Sequence, residues 1–96
     1  MRRSNTQPLK EVIQEYVKAL KMSSKLKEVS LIGSWERVVG TTISRATRDI
    51  YISNRVLYVT LNSSVIRNEL HLMQDILIKR LNEEANSDVI DSVSLK

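Results

Sequence analysis

One stretch constrains this chain more than any other: Val56 to Leu61, which runs directly into a long segment without glycine or proline. Val56-Leu57-Tyr58-Val59-Thr60-Leu61 is rich in β-branched and aromatic residues and alternates with the period of a half-buried strand. Asn62 and Ser63 follow, and a side-chain oxygen at either position can accept from the free amides of a helix's first turn. From Ser64 to about Ala85, Ile66, Leu70, Met73, Leu77 and Leu81 recur on one helical face. Leu72 and Ile76 widen it, so this helix is expected to be central and touched from more than one side. A strand feeding such a helix calls for a layered arrangement of helices on a sheet.

Upstream, Pro8 suits the first turn of a helix, and Leu9, Val12, Ile13, Tyr16, Val17 and Leu20 share one face beyond it. Core packing is the expectation for that face, with docking in a partner's groove as the alternative. Ser23 and Ser24 interrupt the pattern and offer N-caps for a second helix, with Leu26, Val29, Ile32, Trp35, Val39 and Ile43 inward. Gly33 inside it costs about 1 kcal/mol against Ala, which points to a close neighbour or a kink. Gly40 ends or bends that helix, and Trp35 is expected to anchor the core.

Arg45 to Asp49 reads as a polar connection, Ile50 and Ile52 as a short strand, and Ser53-Asn54-Arg55 as a hairpin turn returning through Val56. Tyr51 and Tyr58 then fall on the more open sheet face. After a turn at Asn86-Ser87-Asp88, a last strand within Val89 to Leu95 points Val93 and Leu95 inward. The order α-α-β-β-α-β gives an α+β fold, a three-stranded sheet with helices packed on one face. Residues 1–7 are expected to be a flexible basic arm carrying Arg2 and Arg3, and residues 8–96 a single domain.

Ninety-six residues with 42% hydrophobic content suit one modest core and no enclosed cofactor cavity. There is no cysteine, which excludes disulfides, thiol chemistry and cysteine-ligated zinc. His71 is the lone histidine and is expected on the surface; Glu83, Glu84, Asp88 and Asp91 are scattered. Gly33 and Gly40 are the only glycines, so neither a phosphate loop nor a dinucleotide fingerprint exists. The expectation is a protein that is not an enzyme and takes no cofactor or metal. No apolar run approaches the ~18 residues of a membrane span or forms a secretion signal, so a cytoplasmic protein without membrane contact is expected.

Fifteen Lys and Arg against 11 Asp and Glu leave a net charge of +4, which attracts polyanions through counterion release. Arg45 and Arg48 precede the hairpin, Arg55 sits at its tip, and Lys79 and Arg80 lie late in the long helix. Arg grips phosphate through a bidentate fork, and Tyr51 or Tyr58 offers a surface on which a base can stack. Simple solvation of the surface is the equal alternative for these charges.

Trp35-Glu36-Arg37-Val38-Val39-Gly40 with Ile43 and Ala46-Thr47 is the first part of a longer ordered pattern. Val56 to Ser64 continues it, then Glu69-Leu70, then Leu81-Asn82. This set, spread over about residues 20–96, resembles the DciA-like family of bacterial proteins. The resemblance implies a KH-like fold similar to the N-terminal domain of the initiator DnaA, in a short form without zinc ribbon or tail. It also implies a DNA-replication accessory that binds DNA and recruits the replicative helicase DnaB. Val65 stands where many members have Trp, Ala46 where many have His, and the Gly-x-x-Gly loop of true KH domains is missing. An adaptor that docks on a replication protein without touching nucleic acid, or an RNA-binding module in translation, fits the same residues.

Overall fold

The architecture comes from a computed structural model that describes residues 8–96. The expected arm with Arg2 and Arg3 lies outside the described residues. Eight elements follow in order: α1 (Leu9–Gly33), α2 (Trp35–Val39), α3 (Thr41–Ala46), β1 (Thr47–Ser53), β2 (Val56–Leu61), α4 (Ser64–Leu72), α5 (Gln74–Glu84) and β3 (Ser92–Leu95). The sheet order is β1-β2-β3; β2 pairs antiparallel with β1 and parallel with β3. A parallel neighbour needs a crossover, which α4 and α5 provide. The fold is α+β, with helices covering one face of a mixed three-stranded sheet.

The core lies between that face and the helices. Leu57, Val59 and Leu61 of β2 alternate inward and meet Leu31, Trp35, Leu70, Leu77 and Leu81, with Val93 and Leu95 of β3 completing the layer. Trp35 is buried, and its indole Nε1 donates to Thr47 Oγ1 at 3.0 Å. It is the expected core anchor with its one polar atom satisfied. Ser63 caps α4 by accepting from the Ile66 amide. The hairpin turn places Asn54 and Arg55 at φ of 50° and 65°, the paired left-handed residues that a two-residue hairpin favours.

Several boundaries depart from the sequence reading. Ser23 and Ser24 lie within a continuous 25-residue α1, because Ser inside an exposed helix costs only a fraction of a kcal/mol and forces no break. The interruption falls at Ser34, whose buried hydroxyl donates to the Leu31 carbonyl at 2.7 Å. A second follows at Gly40, with φ of 94°. Gly33 is no site of close packing: a Cβ there would meet nothing within 4 Å. Arg45 and Ala46 finish α3, and Thr47 to Asp49 already belong to β1.

The long helix is also divided. Met73, with φ of −115°, separates α4 from α5. Leu72 is 88% exposed and Ile76 56% exposed, so neither widens the buried face. The largest departure concerns α1: Leu9, Val12, Ile13, Tyr16, Val17 and Leu20 are all exposed, and of this helix only Leu31 is fully buried. The molecule measures 65 × 20 × 20 Å.

Candidate nucleic-acid interface

Alternation along the strands decides what the sheet shows on its helix-free side. With Leu57, Val59 and Leu61 inward, Val56, Tyr58 and Thr60 face out; with Val93 and Leu95 inward, so do Ser92 and Ser94. The register sets Tyr51 of β1 opposite Tyr58 of β2, which in turn neighbours Ser94 of β3. The two phenol rings stack with centroids 4.9 Å apart and planes inclined by 14°. Tyr51 is 47% exposed and lies on an edge strand. The centre of the open face is therefore an aromatic platform bordered by hydroxyls.

A β-bulge lies at one end of this platform. Pairing jumps from Thr47–Leu61 to Asp49–Thr60, leaving Arg48 as the extra residue. Thr47 stays on the helix side through its bonds to Trp35 and to the Ile43 carbonyl, while Arg48 is exposed. Arg45, also exposed, ends α3 just before it. Arg48 stands about 10 Å along the strand from Tyr51, one to two nucleotides' reach.

The remaining candidate cations lie elsewhere. Arg55 sits at the far end of the hairpin, where Nη2 pairs with Asp88 at 3.1 Å and Nε with Asp91 at 3.2 Å. Its Nη1 also donates to the Asp88 carbonyl, and the Asp91 amide donates to the Arg55 carbonyl. Hydrogen bonds to Asp91 and then Asp88 push the guanidinium further above its ordinary value. Arg55 thus ties the hairpin tip to the loop before β3. Lys79 of α5 borders a hollow with Glu83 of the same helix and Asp88 of the loop that follows. Arg80 edges an apolar groove of about 310 Å³ lined by Val39, Ile43, Met73 and Ile76 among others. The structure brings Tyr51 and Tyr58 together and sets Arg45 and Arg48 at one end of their strand, while Arg55, Lys79 and Arg80 are dispersed. Ser92 and Ser94 were missed by sequence reasoning, although the inward assignment of Val93 and Leu95 already implied their side.

The ordered set of residues that carries the resemblance is mostly scaffold. Trp35, Leu70 and Leu81 are core, and Gly40 holds a positive φ. Asn82 clamps the loop before β3: its Oδ1 accepts from the Val89 and Ile90 amides at 3.0 Å each, and its Nδ2 donates to the Ile90 carbonyl at 2.8 Å. Among the described residues no helix is long and apolar enough to cross a membrane.

The family model for DciA, described as Dna[CI] antecedent, matches residues 8–95. A UPF0232 protein of Mycobacterium tuberculosis strain H37Rv is 28% identical over 89 residues, covering 93% of this chain and 48% of the relative. A UPF0232 protein of Mycobacterium marinum is 27% identical over the same shares. The chain spans about half the length of these curated relatives.

Proposed function

This chain belongs to the DciA family, and from that premise we propose that it is a non-enzymatic, nucleic-acid-binding accessory of bacterial DNA replication. The stacked pair of exposed Tyr51 and half-buried Tyr58 is the observation that carries the reading. Aromatic rings on an open sheet face are surfaces on which unpaired bases stack, each worth about 1–3 kcal/mol. Arg48 and Arg45 supply phosphate contacts at one end of the platform, and the net positive charge favours encounter with a polyanion. Arg55 has a fastening role in this reading, and Lys79 and Arg80 contribute only to the general field.

Fluorescence anisotropy with labelled single-stranded DNA, duplex DNA and RNA at two salt concentrations tests it. Binding that weakens with salt, and falls about tenfold or more in Tyr51→Ala, supports the platform, and the preferred ligand chooses DNA or RNA. Absence of binding at low salt sinks it. A second reading, docking on a replication protein such as the replicative helicase, is favoured by the apolar groove beside Arg80. That reading predicts no salt-sensitive affinity for bare nucleic acid and a loss of capture in Ile76→Glu.

A further inference from the structure

We propose that the exposed stripe on α1 is covered by the same stripe of a second copy, the two helices running antiparallel. Leu9, Val12, Ile13, Tyr16, Val17 and Leu20 occupy one face for about three turns, and all are exposed. At 100° per residue the same face then passes to Ser23, Ser24 and Lys27, so the sticky segment ends well before Leu31 enters the core. Six side chains of this size, about half to three-quarters exposed, present on the order of 600 Å². Two such stripes bury roughly 1,200 Å², the lower end of what a specific pair needs.

The spacing is self-complementary. A two-fold axis between Gln14 and Glu15 sets Leu9 against Leu20, Val12 against Val17 and Ile13 against Tyr16 of the second copy, leaving no apolar residue of the stripe without an apolar partner. Antiparallel pairing also sends the two sheet-bearing heads to opposite ends. Parallel pairing would set them at the same level on helices only about 8–10 Å apart, although the molecule is 20 Å across. Lys10 and Lys21 share one edge of the stripe, so the two-fold brings these like charges near one another and salt should tighten the pair.

Sedimentation equilibrium over a range of concentrations and salt is the first test. A dimer that tightens with salt, and whose dissociation constant rises about 100-fold or more in Ile13→Glu, supports the proposal. Buried Trp35 reports through its fluorescence that the head stays folded. Because the chain has no cysteine, mixed Leu9→Cys and Leu20→Cys chains report direction: a disulfide between the two is expected, and none between two Leu20→Cys chains. A monomer at all concentrations overturns the proposal and leaves the stripe for a different protein. A dimer indifferent to Ile13→Glu, one that dissociates as salt rises, or self-crosslinking of Leu20→Cys overturns it as well.

Discussion

Two glycines show how far a single residue's role depends on its backbone. Gly33 is exposed in the last turn of α1, has no positive φ, and leaves room for a Cβ. Gly33→Ala should raise the urea midpoint, worth about 0.5–1 kcal/mol, by restricting the unfolded chain and improving helix propensity. Gly40 has equal room but a φ of 94°, which an L side chain resists. Gly40→Ala should lower the same midpoint, a loss of about 1–2 kcal/mol in stability, and a neutral result would refute the strain assignment. Asn82 commits its whole side-chain amide to three bonds with the Val89–Ile90 backbone. Asn82→Ala leaves two amides without acceptors and should cost about 2–4 kcal/mol in urea unfolding. Arg55 couples stability to pH through its own titration: its raised pKa means that this share of its stabilisation is fully present below the unfolded value and is lost as pH rises through the folded one.

At the scale of elements, the break at Met73 decides which leucines matter. Leu70 is fully buried in α4, and Leu70→Ala should cost about 2–4 kcal/mol. Leu72, two residues on, projects into solvent, and Leu72→Ser should stay within about 0.5 kcal/mol in the same assay. Periodicity had placed Leu72 on a buried flank because nothing between Ser64 and Ala85 announces a break; the residue at the break is a good helix former. The hairpin was legible for the opposite reason. Strand alternation, a turn residue tolerant of positive φ and a two-residue loop all demand one register there. For α1 the pattern correctly grouped Leu9 to Leu20 on one face. A period tells which residues share a face but not what covers it, so the expected core packing gave way to exposure. At dilution, amides from Leu9 to Leu20 should exchange hydrogen far faster than those of Leu57 and Val59, since a helical segment that packs on nothing frays readily. Protection of these amides should rise with protein concentration.

At the scale of the molecule, two surfaces of different chemistry stand apart. The aromatic platform lies on the helix-free side of the sheet, and the apolar stripe lies on the helix beyond the core. The tyrosines of the site were legible because strand alternation fixes their side. The grouping of the cations was not, because ion pairing of Arg55 with Asp88 and Asp91 spans 33 and 36 residues of chain. If α1 pairs with a second copy, two platforms are carried by one particle with the heads at opposite ends. A strand long enough to reach both should then bind more tightly than one filling a single platform, by up to about 100-fold through effective concentration alone. Ile13→Glu should abolish that gain and leave the affinity for the short strand unchanged, whereas Tyr51→Ala should weaken both. Anisotropy titrations with a short and a long oligonucleotide measure each term. Equal weakening of the short strand by Ile13→Glu would place α1 itself against nucleic acid, and the two surfaces would then have to be treated as one.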